Sequence, residues 1–291
     1  MKTFQKLLLL IGLFASTILP QSAVLTPDNT FLAPDVDNLI LYLPIPQWPL
    51  IPLRSTKLIK DRHDFVDLAK TFWYMRKSFS KKAEGIYKMV DAEGNAIHGL
   101  THRMLTIGMR HKESTRFIAR LLTIIEKSRR INKDVLKILC DTKLPIIWVT
   151  NKDSLTYQRT LERHVLDSIA IKTIVTKQPL SKEVIEFAQR ADTPADYRAL
   201  VEQYQNDHET ETLIHTPSKK PDAQYYECLA KVAGPDKNII FIDDTMKNIT
   251  GYLNALRKAD IEHLIAIHYQ NKDQLVEDLN KLGLQPTQVT A

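Results

Sequence analysis

From residue 145 onward, short apolar runs alternate with segments of helical spacing, and this alternation limits the fold more than any other feature of the chain. Residues 145–149 (PIIWV), 212–215 (TLIH), 238–242 (NIIFI) and 263–268 (HLIAIH) each read as a buried strand. Helices are expected around 154–166, 181–190, 194–206, 221–232, 247–259 and 272–282. Pro221 suits the start of one of them and Gly234 its stop. Asn132 reads as the cap of a further helix leading into the first strand. Strand–helix alternation of this kind implies an α/β fold, a doubly wound parallel sheet covered by helices on both faces.

The first half reads differently. Six prolines (Pro27, Pro34, Pro44, Pro46, Pro49 and Pro52) exclude a helix from residues 24–54, where Phe31-Leu32-Ala33 is a short strand candidate. From 61 to about 139 the spacing becomes helical, with Phe117, Leu121 and Ile125 on one face and Ile118 and Leu122 beside them. At the N-terminus, Lys2 and Lys6 precede an apolar run from Leu7 to Leu19, and Ala23 offers a small residue for cleavage. Residues 1–23 therefore read as a signal peptide, which predicts a periplasmic or secreted protein. The 13-residue run is shorter than the roughly 20 residues a spanning helix needs, so no stable membrane insertion is expected after cleavage. An uncleaved anchor is the alternative.

Charge narrows the partners. The chain carries +6, and removal of Lys2 and Lys6 leaves +4. With no run of like charges and no aromatics interleaved among basic residues, no nucleic-acid partner is expected; a mild positive field suits an anionic small substrate. Cys140 and Cys228 allow at most one disulfide, and both read as buried free thiols in helices flanking the core. Oligomeric state is not written in these features.

In open α/β sheets ligands bind beyond the carboxyl ends of the strands, and here those ends are chemically loaded. Asp243-Asp244 and then Asn248 follow one run, Thr150-Asn151 another, and Lys219-Lys220-Pro221-Asp222 a third; Pro34-Asp35-Val36-Asp37-Asn38 follows the first short strand. Phosphoryl transfer calls for such groups. A carboxylate can serve as nucleophile, crowded acids are neutralised by a hard divalent cation such as Mg²⁺, and a lysine with a hydroxyl can hold phosphoryl oxygens.

In this order the sequence resembles the haloacid dehalogenase-like (HAD-like) superfamily, and in particular its exported bacterial members. The matching pieces are Asp35-Val36-Asp37, Thr150 in IIWVTN, Lys220 in KKPDAQYYE, and Asp243-Asp244 in IIFIDD with Asn248 beyond. The chain departs from the usual pattern at Pro34, before the first aspartate, and at Asn38-Leu39, where relatives carry Gly-Thr. The resemblance implies a HAD-like Rossmannoid core with Asp35 as nucleophile and Asp37 as general acid/base. It implies that Thr150 and Lys220 bind the phosphoryl group, with Asn151 among the substrate-binding residues. It also implies Mg²⁺ held by Asp35, the Asp37 carbonyl and Asp244, with Asp243 adjacent.

The 113 residues from Asp37 to Thr150 exceed what the plain fold needs. An inserted, mainly helical cap domain is therefore expected at 58–131, with the core formed by 24–57 and 132–291. Within the cap, Trp73 and Tyr74 are candidates for cap core or substrate pocket. His98 and His102 have metal-ligand spacing but read better as surface or packing residues. The function so implied is a Mg²⁺-dependent phosphohydrolase (phosphatase) working through an aspartyl phosphate on a phosphorylated small molecule. The alternative is a catalytically inactive HAD-like binding or effector protein acting through its cap. A dehalogenase fits less well, since that chemistry needs no metal-binding acid pair.

Overall fold

The computed structural model describes residues 24–42, 59–78, 129–154, 163–176, 182–190, 195–206, 208–258 and 264–286, with shorter pieces between 89 and 124 and at 157 and 193. The expected signal peptide, His98 and His102 lie outside the described residues. No described helix is long and apolar enough to cross a membrane.

Two three-stranded parallel sheets form the centre. One runs in the order β1 (Thr30–Pro34), β9 (Asn238–Asp243) and β10 (Leu264–His268); the other runs β6 (Ile147–Asp153), β7 (Lys172–Thr176) and β8 (Leu213–Thr216). They join along β1 and β6. Parallel bridges pair Leu32 with Ile146 and Asp35 with Val149, and Leu32 N donates to Pro145 O and Val36 N to Val149 O, each at 3.0 Å. The spatial order is thus β10-β9-β1-β6-β7-β8. From β1 the chain steps outward through β6, β7 and β8, then crosses back to β9 on the other side of β1. That reversal beside β1 creates a crevice at the carboxyl ends of the strands.

Period-2 alternation assigns the side chains to two cores. On one face Leu32, Trp148, Ile240 and Ile242 pack with Val135, Ile138 and Leu139 of α2 (Lys133–Asp141), with Leu166 of α3 (Arg163–Ile169) and with Leu275 and Leu279 of α8 (Lys272–Lys281). On the other, Ala33, Ile147, Val149, Ile239 and Phe241 pack with Tyr225, Tyr226 and Leu229 of α6 (Ala223–Ala233) and with Ile249, Tyr252 and Leu256 of α7 (Met246–Lys258). The sheet is therefore an α/β arrangement covered on both faces, and a strand buried on both sides has to read as a near-continuous apolar run. Helix ends follow local chemistry. The Asn132 side chain accepts from Val135 N at 3.3 Å, and Gly234, at φ 100°, closes α6.

Several sequence expectations are corrected. β7 has no counterpart among the expected strands, yet it lies in the middle of its sheet; its run (KTIVT) mixes Lys and Thr with Ile and Val, and pairing on both sides buries it. β6 does not stop at Val149 but continues to Asp153 with a register shift after Val149, so Thr150 and Asn151 belong to the strand. The segment between Asp37 and Thr150 was expected to be mainly helical, which its described residues do not test. It contains α1 (Arg62–Ser78), but also an antiparallel pair of β3 (Met89–Val90) and β4 (Ala96–Ile97).

The chain on either side of residues 43–129 is tied together by β2 (Leu41–Tyr42) against β5 (Arg130–Ile131), also antiparallel, with Asn132 N donating to Ile40 O at 2.7 Å. Trp73 is neither core nor covered, being 61% exposed on α1. Tyr74, next to it, stacks on His111 at 3.6 Å. Cys140 is exposed and Cys228 half-buried, so the expected burial of both thiols does not hold; both are free. Two helices follow β7, α4 (Lys182–Gln189) and α5 (Ala195–Gln205), and Arg190 between them donates from its guanidinium to Gly108 O at 2.9 Å.

Candidate active site

The crevice beside β1 gathers the residues that end β1 and β9. Asp35 follows directly on β1, where Asp35 N donates to Ile242 O at 2.8 Å and the carboxylate is carried inward, 5% exposed. The chain then turns back. Leu41 N donates to Val36 O and Asn38 N to Leu41 O, with Asn38 at φ 62°, a left-handed conformation that Asn tolerates better than most side chains. The asparagine at this turn thus has a backbone reason.

Lys220 lies at the heart of the cluster. Its Nζ is 2.8 Å from both Asp35 Oδ1 and Asp243 Oδ2. Asp243, wholly buried at the end of β9, also receives Asn248 Nδ2 at 3.0 Å on each oxygen and Thr245 N at 2.8 Å. The lysine is held from two sides. Asn151 accepts from Lys220 N through Oδ1 at 2.7 Å and donates Nδ2 to Lys220 O at 3.2 Å, so both ends of an amide expected to contact substrate brace the lysine. On the other side α7 comes very close to the Lys220–Pro221 turn. A Cβ at Gly251 would stand 2.7 Å from Pro221 Cβ and from Pro221 O, which accounts for a glycine inside this helix.

Asp37 belongs to a neighbouring cluster, linked to the first by its own N–H, which donates to Asp35 Oδ1 at 3.3 Å. Thr150 Oγ1 donates to Asp37 Oδ2 at 2.8 Å, while Lys152 Nζ and Arg129 Nη1 both lie 3.2 Å from Asp37 Oδ1. Thr150 is set by Tyr225, whose hydroxyl accepts from Thr150 N at 2.9 Å and lies 3.1 Å from Thr150 O. Sequence reasoning missed Lys152 and Arg129. Lys152 stands two residues after Thr150 in the same strand, a spacing that hints at a shared face. Nothing local marks Arg129, which is 92 residues from Asp37.

Charge and burial set the protonation states. Burial, reinforced by Asp243 and Asp37, pushes the Asp35 carboxyl up to about 8 despite the opposing pull of Lys220. Burial would raise Asp37 too, but the Lys152 ammonium and the Arg129 guanidinium outweigh it and hold Asp37 below its usual value. For Lys220, burial is outweighed by Asp35 and Asp243, so the ammonium is stabilised.

Asp35, Asp243 and Asp244 each place a carboxylate oxygen within 4.8 Å of the others. At Mg–O distances near 2.1 Å, neighbouring oxygens of an octahedral Mg²⁺ lie about 3.0 Å apart and opposite ones about 4.2 Å, so this all-oxygen set suits a hard cation once the carboxylates draw together. The Asp37 side chain, turned toward Thr150, Lys152 and Arg129, is outside that group.

No known protein-family profile matches the chain, and no curated protein matches it. Among solved structures, it is similar to a crystal structure from Thermotoga maritima assigned provisionally as a beta-phosphoglucomutase, at 13% identity and a TM-score of 0.32, covering 83% of this chain and 87% of that one. The strand order and the site geometry stand independently of that likeness.

Proposed function

We propose that the chain is a Mg²⁺-dependent phosphohydrolase of the HAD-like type, acting on a phosphorylated small molecule through an aspartyl phosphate on Asp35. One observation carries this reading. At the crevice beside β1, a buried lysine bridges a buried aspartate that follows one strand and Asp243, the first of an acid pair, at the end of the next. The proposed organisation is a core of 24–57 and 132–291, a cap formed by 58–131, and an export signal at 1–23.

In this reading, with Asp37 turned away from Lys152 and Arg129 and protonated, an Asp35 oxygen attacks phosphorus, the bond to the leaving oxygen breaks, and that oxygen takes the Asp37 proton. Water then attacks the same phosphorus, giving its proton to Asp37, and the bond to Asp35 breaks to release phosphate. Lys220 and the Thr150 hydroxyl offset charge on the phosphoryl oxygens. Asp35, Asp243 and Asp244 would hold Mg²⁺, which supplies the positive charge that keeps Asp35 ionised.

The clamp on Asp37 favours a second reading, a binding protein with a relic site, because two cations and a hydroxyl already engage the general acid/base. One experiment separates the two. With Mg²⁺, beryllium fluoride should raise the melting temperature of the protein but not of Asp35→Asn, and a panel of phosphomonoesters should be hydrolysed only by the former. Absence of both effects in the unaltered protein would leave the binding reading.

A further inference from the structure

Three fully buried tyrosines share the core formed with α6 and α7, and each places its hydroxyl on backbone. Tyr226 donates to Asn248 O at 2.7 Å and Tyr252 to Ile239 O at 2.9 Å, which is how a phenol is ordinarily satisfied inside a core. Tyr225 differs from both. Its hydroxyl accepts from Thr150 N at 2.9 Å, and its one proton faces two carbonyls, Thr150 O at 3.1 Å and Ile174 O at 3.3 Å. Phenylalanine would fill nearly the same space, so what the hydroxyl adds is this set of bonds.

They fall where the sheet changes register. β6 and β7 pair regularly as far as Val149 with Ile174, and the register then shifts before Asp153 meets Thr176. Such an irregularity interrupts the ladder locally and re-aims the side chains that follow. The Tyr225 hydroxyl stands at the slip, touching Thr150 on one strand and Ile174 on the other. The Thr150 side chain leaves from this point, accepting from Lys152 N at 3.0 Å and donating to Asp37 Oδ2 at 2.8 Å. A hydroxyl donor on Oδ2 serves both protonation states of Asp37, because Oδ2 still accepts when Oδ1 carries the proton.

We infer that Tyr225 is a positioning residue: its hydroxyl pins the register shift of β6 so that Thr150 holds Asp37 in place as general acid/base. This rests on the phosphohydrolase reading for the role of Asp37. Tyr225 itself touches no reacting atom and acts through Thr150.

The test is steady-state hydrolysis, with Mg²⁺, of the best-cleaved member of a phosphomonoester panel by the full chain, well below the melting temperature of each variant. Tyr225→Phe should lower kcat about ten-fold or more with KM within about two-fold, since a reacting group displaced by about 1 Å can cost on the order of 10²-fold. Thr150→Val, which keeps the branched shape and loses the hydroxyl, should also lower kcat. The double variant should be no slower than Thr150→Val, because the two groups act in series. Tyr252→Phe removes an equally buried hydroxyl from the same core and should leave kcat unchanged. Independently of any variant, the Thr150 amide should exchange its hydrogen as slowly as that of Val149.

Several results would overturn the inference while leaving the phosphohydrolase reading intact: kcat unchanged in Tyr225→Phe or in Thr150→Val, losses that multiply in the double variant, or an equal loss in Tyr252→Phe. Exchange of the Thr150 amide at the rate of an open loop would do the same, even if Tyr225→Phe failed to fold. Hydrolysis of no phosphomonoester by the unaltered protein would sink that reading, and the inference with it.

Discussion

Lys220 and Asp35 form an ion pair at 2.8 Å with almost no access to solvent, their side chains 1% and 7% exposed. The same ammonium lies 2.8 Å from Asp243, so one positive charge is shared by two buried carboxylates. Such a group is more costly to break than it is stabilising to have, because the remaining charges stay buried without their partner.

Lys220→Met should therefore destabilise the metal-free protein by about 3–5 kcal/mol, the range for removing one partner of a buried pair. Urea denaturation in the presence of a chelator reads this directly. A loss below about 1 kcal/mol would mean that the ammonium adds little to the cluster, contrary to a tightly bridged arrangement.

Asp35 predicts the direction of the pH dependence. Its folded value, about 8, is above the ordinary carboxylate value near 4, so the folded state holds the proton longer. The stability this group contributes is full below about pH 4 and is lost as pH rises through about 8. Asp37, shifted the other way, contributes stability above its ordinary value that is lost as pH falls below it. Melting curves without metal should thus show a decline from pH 5 to 8 that is flattened in Asp35→Asn. Identical slopes for the two proteins would refute the assignment. Added Mg²⁺ should stabilise the unaltered protein most at the alkaline end, where Asp35 is ionised.

Asp243 and Asp244 are adjacent but differ in what surrounds them. Asp243 is fully buried and bonded to Lys220, Asn248 and Thr245 N, whereas Asp244 is half-exposed and bonds Thr245 Oγ1 at 3.2 Å. Asp244→Asn should weaken Mg²⁺ binding at least about ten-fold, a typical consequence of altering a ligand set, with little change in melting temperature. Asp243→Asn should lower both. Calorimetric Mg²⁺ titration beside thermal melting distinguishes them, and equal stability losses would contradict the distinction.

Gly251 offers a test of packing around Lys220. In an exposed helix interior, Gly→Ala stabilises by about 1 kcal/mol. Here the new methyl group would lie 2.7 Å from Pro221 Cβ and from Pro221 O, so Gly251→Ala should instead destabilise and displace the Lys220 turn. A rise in melting temperature would show that α7 yields easily.

Much of this arrangement can be read along the chain, because burial and backbone conformation leave local traces. A strand covered on both faces must be apolar, as in Ile239–Ile242, and helix ends need particular residues, as at Asn132 and Gly234. Since ligands lie beyond strand ends, the same reading picks out Asp35, Lys220, Asp243 and Asp244, which the fold brings into one crevice. Other features leave no local trace. β7 looks half polar until β6 and β8 flank it, and Trp73 looks like core until the structure leaves it exposed. Lys152 and Arg129 arrive at Asp37 from 115 residues and 92 residues away along the chain. Asn151 turns out to brace a lysine through two backbone bonds. Each of these depends on which distant segments become neighbours. A residue's own sequence context sets its preference for burial and backbone angle, but strand pairing and helix docking choose its partners.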